Sequence, residues 1–407
     1  MALHEAAEVT IGRQRSPKNA TGTSMVPYLR AANVKDGRLA LADVLEMNFT
    51  ESEQATYDLH LGDVLVTEGC GSIRKIGASA RWDGQIDGPV CFQNTLLRLR
   101  AIPGLTLPGF VEQWARWAHR SGLWATTASG TNIFHIGVQR AREVPIPVPP
   151  IDVQRRIVDL VSGIERAIAG ADESATAHAS LNERILSDWV GSWTGPTACL
   201  GDIATAGSGP SWKAADETRT PVSGATRVLG ITNTAANAEL DLSEEKYVVG
   251  LPASTKKLSD RSVLMIRTNG NRSRIGNVYR VPAGAVGCAF SAFQIGLHFE
   301  SPTDAEFAFW MLAETEVQNR VSNAASGTTG LGNVGVRWLK QFKLPWPERT
   351  AERAELASLF DAGSAAARSA ARVEDALSTV RTSVLSELLS GEHAIPDRYD
   401  ELLEQAS

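Results

Sequence analysis

The pattern of apolar and polar positions divides the chain into two kinds of segment. Short apolar runs bounded by glycine, such as Asp63-Val64-Leu65-Val66-Thr67 and Thr95-Leu96-Leu97-Arg98-Leu99, predict strands, and the spacing from Phe110 to Trp124 predicts a helix. Elsewhere apolar residues recur every three or four positions over a long distance. Ile157, Leu160, Val161, Ile164 and Ile168 set one such stripe, and Ala171, Ala175, His178, Asn182, Ile185 and Trp189 continue it. Pro145, Pro147, Pro149 and Pro150 bar a helix immediately before it. One helix of about 40 residues is therefore expected, about 60 Å long at 1.5 Å per residue. Leu356, Leu359, Phe360, Gly363, Ala367, Ala370, Val373, Leu377, Val380, Val384 and Leu388 form a second stripe ending at Gly391. Either stripe alone would leave apolar surface in water, so the pair predicts an antiparallel coiled coil. The alternative is that each helix packs on the segment preceding it. Small residues at 171, 175, 363, 367 and 370 allow two backbones to approach closely, and His178 and Asn182 are expected to set register rather than bind a ligand.

This arrangement is stated twice, displaced by about 200 residues. Leu29-Arg30-Ala31-Ala32-Asn33 is echoed by Leu229-Gly230-Ile231-Thr232-Asn233, and Val64-Leu65 by Val263-Leu264. Ser72 to Gly77 meets Asn271 to Gly276, Phe92-Gln93 meets Phe293-Gln294, and Ala128-Ser129-Gly130-Thr131 meets Ala325-Ser326-Gly327-Thr328. Pro145-Ile146-Pro147 recurs as Pro345-Trp346-Pro347. The expected organisation is module one over 1–147, a helix over 148–194, module two over 195–347, a helix over 348–391 and a tail over 392–407. Such duplication suits a target with two half-sites.

Composition narrows the class. The 407 residues exceed one ordinary core, and 43% hydrophobic with 21% charged residues describes a globular chain of two or more domains. Glu5 and Glu8 stand where a signal peptide would be basic and then apolar, and no apolar run reaches the roughly 18 residues of a membrane span, so a cytoplasmic protein is expected. Cys70, Cys91, Cys199 and Cys288 lie far apart and read as reduced thiols. The net charge of -6 does not announce a nucleic-acid binder, although a whole-chain balance can hide a local basic stripe.

Catalytic signatures are missing. The glycine-rich segments 68–72 and 268–271 lack the lysine and hydroxyl of a phosphate loop, and His60, His119, His135 and His298 have no partner at metal spacing. Asp397, Asp400 and Glu401 read as a solvated helix end. A binding protein is more economical than a self-contained enzyme, and its candidate residues sit at equivalent places in the two modules. Arg74 and Lys75 correspond to Arg272 and Arg274 in a glycine-flanked turn able to present cations to phosphates or guanine edges. Gln93, Asn94 and Gln294 offer amides of the kind that read adenine, with satisfaction of backbone groups as the competing explanation, since each stretch follows a phenylalanine in an apolar run. Ser129, Thr131, Asn132 and Thr328 belong to small donor-rich loops, for which helix capping is an equal explanation. Arg13, Arg15 and Lys18, with Trp212 and Lys213, add a basic and aromatic entry. Arg30, Asn33, Asn233, Arg267, Asn269 and Asn271 complete the set. The side chains differ between the modules, so different sequences would be read.

In its order of module, proline exit and long helix, given twice, the chain resembles the specificity subunit of type I restriction-modification systems over essentially its whole length. The carriers are Gly12 to Lys18, Val26-Pro27-Tyr28-Leu29-Arg30-Ala31-Ala32-Asn33-Val34, Gly62-Asp63-Val64-Leu65, and Pro149-Pro150 leading to Gln154-Arg155-Arg156-Ile157. The second half supplies Leu200-Gly201-Asp202-Ile203, Gly209 to Lys213, Val228 to Asn233 and Gly391-Glu392-His393. The resemblance implies an α+β protein with two target-recognition domains separated by an antiparallel coiled coil. It further implies a non-catalytic chain without cofactor or metal that reads a bipartite asymmetric site in double-stranded DNA, docks two methyltransferase subunits through its helices and joins motor and nuclease subunits. S-adenosylmethionine, and ATP with magnesium, would be bound by those partners, which carry out adenine methylation or cleavage; no membrane is involved. A two-module scaffold for protein partners is the rival reading. The sequence departs from the family pattern at Ser259 to Val263, which replaces Gly-Asp-Val, and at Glu348 to Arg353, which replaces Pro-Pro-Ile and Gln-Arg-Arg. His4 to Val9 reads as a shortened start to module one.

Overall fold

The computed structural model describes residues 1–234, 239–327, 330–396 and 399–401. It is α+β and divides into two compact units, Met1–Ala171 with Val373–Ser407, and Asp172–Arg372. The long helices run over Ile151–Ser192 and Thr350–Ser390, so each unit holds one module together with half of each helix.

The first module is built on an antiparallel sheet in the order Ala7–Ile11, Leu96–Ala101, Val64–Thr67 and Ser79–Arg81. Helix Pro108–Arg120 covers it, burying Phe110 and Trp114 against Val64, Val66, Leu97 and Leu99. The helical run expected from Phe110 to Trp124 breaks at Gly122, whose φ of 81° leaves the helix, and resumes as Leu123–Thr127. The second module repeats the sheet as Ala204–Ser208, Gln294–Phe299, Ser262–Ile266 and Val278–Arg280, with helix Pro302–Ala313 as its cover. A smaller sheet in each module carries one parallel pairing, Leu29 beside Phe92 and Leu229 beside Phe290. That register corrects one echo: Phe92 corresponds to Phe290, and Gln294 occupies the place of Leu96. The opening of module one also matches that of module two, where a shortened start was expected. Leu3–Ala6 forms the same short helix as Leu200–Ile203, and the leucine that opens each is fully buried.

Both departures from the family pattern are compensated within their units. Asp63 accepts two 2.7 Å hydrogen bonds from Arg100, whereas in the second module Ser262 Oγ lies 2.8 Å from Nδ1 of His298 at the corresponding positions. At the root of the first long helix, buried Gln154 accepts from the Leu107 amide at 2.9 Å and donates to the carbonyls of Leu105 and Pro149 at 2.8 Å. Arg353 takes this place in the second, donating to Asp304 at 2.8 Å and to the Pro347 carbonyl at 2.6 Å.

The helices pack on each other and on the modules together, so the two readings of their stripes are not exclusive. In the first unit Ile157 and Val161 share a core with Leu385 and Leu389, while Trp117 Nε1 donates to Ser386 Oγ at 2.9 Å. In the second, Leu186, Ala357 and Phe360 are buried, and a Cβ on Gly363 would collide with Asn182. Facing a helix and a module at once shifts the buried surface away from the expected stripe. His178 and Ile185 are exposed, as are Leu359 (52%), Val373 (51%) and Val380 (47%). Asn182 is buried where the helices meet, as expected.

Arg353→Met should lower the stability of the second unit by about 3–5 kcal/mol, because Asp304 is left as an uncompensated buried carboxylate; urea unfolding will read this, and a decrease under about 1 kcal/mol would contradict the assignment. His298 gives a pH dependence. Burial, followed by the charges of Lys256 and Arg261, pushes its imidazole below the usual range. Between the folded value and the ordinary value of about 6.5, the unfolded chain binds a proton that the folded chain does not, so stability falls as pH drops below about 6.5. His298→Gln should flatten that part of the urea-midpoint profile.

Candidate nucleic-acid interface

In the first module several loops meet around Gln93–Thr95. Gly69–Cys70 pairs with Phe134–His135, which sets the turn containing Ile73–Lys75 beside the loop 129–133. Two glycines make these turns possible. Gly77 has φ 80° and packs against Trp124, and Gly130 has φ 127° with the Ile133 carbonyl where a Cβ would stand. The segment entering at Gly12 lies on the Gln93 carbonyl, Asn94 N donates to Arg13 O at 3.0 Å, and Ala31 N donates to Thr95 Oγ1 at 3.0 Å.

This cluster brings together most of the cations and donors expected in the first module. Arg15, Lys18, Arg74, Lys75, Ser129, Thr131 and Asn132 are exposed, and none of their side chains has a partner among the described residues. Gln93 and Asn94 are half-buried with free amides. Arg13 is otherwise occupied: it pairs with Glu53 at 2.7 Å, donates to the Asn48 carbonyl at 2.6 Å and lies over the Phe49 ring. Arg30 pairs with Asp43 at 2.6 Å. Asn33 is a correction, since it is buried and both ends of its amide are bound to backbone, including the Arg30 amide and the Ala40 carbonyl. Such a side chain shapes the turn and has no group left for DNA.

The second module reuses the backbone and spends its polar groups differently. Asn233 repeats the role of Asn33, accepting from Gly230 N and donating to the Asp241 carbonyl, both at 2.8 Å. Gln294 is fully buried and bound to Ser291 N and the Gly230 carbonyl, so it too is removed from the interface. Arg272 reaches the Ala325 carbonyl at 2.9 Å and Arg274 the Thr234 carbonyl at 2.7 Å, so both hold loops together. Asn269 and Asn271 accept from amides two residues onward, and Arg267 reaches the Ala292 carbonyl at 3.5 Å. Lys213 is exposed with a free ammonium, and Thr328 lies outside the described residues. Trp212 Nε1 donates to Glu217 at 2.7 Å. Hydrogen bonds from that indole and from Lys246 hold the Glu217 carboxyl below its usual range.

Beside Trp212 the second module opens a cavity of about 570 Å³, also lined by Ser211, Thr232, Asn269, Phe293 and Leu331. Phe293 (48% exposed) and Leu331 (54%) are exposed apolar residues at this recess that the sequence reading does not single out. Their equivalents in module one are Thr95 and Ile133. Sequence also missed a repeated ion pair beneath the covering helix, Arg81 with Glu112 and Arg280 with Glu306. Among the described residues no group of three or more His, Cys, Asp or Glu is placed to hold a metal ion, and no helix is long and apolar enough to cross a membrane.

No protein-family model matches the sequence, and no curated protein does. Solved structures do. A chain from work on complex assembly and conformational transition of the type I R-M system aligns with a TM-score of 0.62 at 15% identity, covering 96% of each chain. The S subunit of a type I restriction-modification system from M. genitalium aligns with a TM-score of 0.54 at 13% identity, over 96% of this chain and 95% of that one. The fold is that of a type I specificity subunit.

Within this specificity-subunit fold, the free cations and the loop-holding cations give different expectations. Arg74→Ala with Lys75→Ala should leave the urea midpoint unchanged and lower the slope of log affinity against log salt by about 1 for each phosphate that is no longer neutralised. Arg272→Ala with Arg274→Ala should lower the midpoint as well, since two loop anchors are removed. An unchanged salt slope in the first variant would take Arg74 and Lys75 out of the interface.

Proposed function

We propose that the chain is the DNA-recognition subunit of a type I restriction-modification complex. The observation that carries this reading is the repeated loop cluster: one backbone, built twice, presenting different side chains around the same turns. Each module then reads one half of a bipartite, asymmetric site in double-stranded DNA. Module one uses cations and amides, and module two uses Trp212, Lys213 and its cavity. The acidic balance of the chain is compatible with this role, because the exposed cations Arg15, Lys18, Arg74 and Lys75 gather at the loops while arginines such as Arg81, Arg98 and Arg353 are neutralised in ion pairs elsewhere.

The chemistry is assigned to other subunits. Two methyltransferase subunits would bind S-adenosylmethionine and modify adenine, and motor and nuclease subunits would use ATP and magnesium for cleavage, all in the cytoplasm. The purified chain alone should not turn over S-adenosylmethionine. Expressed with its methyltransferase, it should produce modified adenines at one bipartite sequence, read by sequencing the modified bases of the host genome. Exchanging residues 200–345 for the same module of a relative should alter one half of that sequence only. Absence of chain-dependent modification, or a change in both halves together, would overturn the proposal.

A further inference from the structure

Beside Trp212 the second module opens a recess whose walls are partly aromatic and aliphatic. Base edges in a groove are met by side chains projecting from a surface, whereas a recess with ring and aliphatic walls suits a whole base. Here Trp212, Phe293 and Leu331 supply the apolar walls, and Thr232, Asn269, Glu217 and Lys246 line the polar part. The volume of about 570 Å³ lies in the range of small-molecule sites and is ample for one nucleobase. Trp212 is fixed by its hydrogen bond to Glu217, itself paired with Lys246 at 3.0 Å, so one wall is preorganised. Asn269 Oδ1 accepts from Asn271 N, which leaves its Nδ2 for a ligand acceptor. Lys213, exposed and unpartnered next to Trp212, is a cation available to the backbone of an entering nucleotide.

Resting on the reading of the chain as a DNA-recognition subunit, we propose that module two binds its half-site with one base unstacked from the duplex and held in the Trp212–Phe293–Leu331 cavity. Stacking on these side chains offsets the cost of unpairing, a cost that is smaller when the base is already mismatched. Specificity at that position then comes from the fit of an entire base.

The test uses the full chain and the duplex it selects from a randomised pool. A mismatch is introduced at each position of the half-site that depends on module two, by changing the opposite strand only. At one position the mismatch should tighten binding roughly tenfold, about the effect of 1.4 kcal/mol. Phe293→Ala should abolish this gain while preserving the preference for the other half-site, and Phe293→Trp should retain it. If every mismatch weakens binding or leaves it unchanged, the base stays stacked and the proposal fails alone. If no preferred duplex emerges from the pool, the DNA-recognition reading fails with it.

Discussion

A long helix that leaves a module must begin against it, and the backbone groups of the segments around its root would be stranded by burial without a partner. Both modules meet this constraint with one buried polar side chain. Gln154 uses its amide to satisfy Leu107 N and two carbonyls, and Arg353 uses its guanidinium to bind Asp304 and Pro347 O. Each anchor ties the root of a long helix to the start of the short helix that covers the sheet. The arginine solution needs a buried counter-charge and the glutamine solution does not. Position 304 is accordingly an aspartate held by the Ser301 cap, with Ser301 Oγ donating to it at 2.8 Å.

Much of this architecture is legible in the sequence because it rests on periodicity and repetition. The long helices announce themselves through apolar spacing, and the glycines of the clustered turns through their doubled placement. Ser129-Gly130 and Ser326-Gly327 do coincide, down to bridges with His135 and Asn333. What stayed hidden depends on where the folded backbone places its donors and acceptors. Asn33, Asn233 and Gln294 have the chemistry of base readers, yet nearby backbone groups consume them. Nothing local distinguishes a free amide from one already bonded. The helix stripes were displaced for a related reason, since a helix buried on two sides has no single apolar face. Phe293 and Leu331 carry the opposite signal, apolar residues that the fold leaves in the open.

Comparison of the modules separates what holds the fold from what varies on it. Sheet order, covering helix, arginine–glutamate pair and left-handed glycines recur, while the pair at 63 and 100 becomes Ser262 with His298. Exchanges under the surface come as matched sets, because a change on one side alone would strand a charge or a donor. The exchange of Thr95 for Phe293 gives up the hydroxyl that accepts from Ala31 N in module one, whereas at the tip of the loop cluster Ile133 has become Leu331 without disturbing the strands beneath.

The loop closed by Gly130 shows why. Its two ends are joined by reciprocal backbone hydrogen bonds between Ser129 and His135, at 2.9 and 2.8 Å, and its path is set where Gly130 lies against the Ile133 carbonyl. The loop is held at its ends, where His135 also meets Glu68 at 3.0 Å and the His135 carbonyl accepts from Arg140 at 2.8 Å, and the side chains of Thr131 and Asn132 contribute nothing to holding it. These positions behave like type set in a fixed frame: new letters can be inserted one at a time, each a small change in what the loop presents, with no intermediate that has to refold.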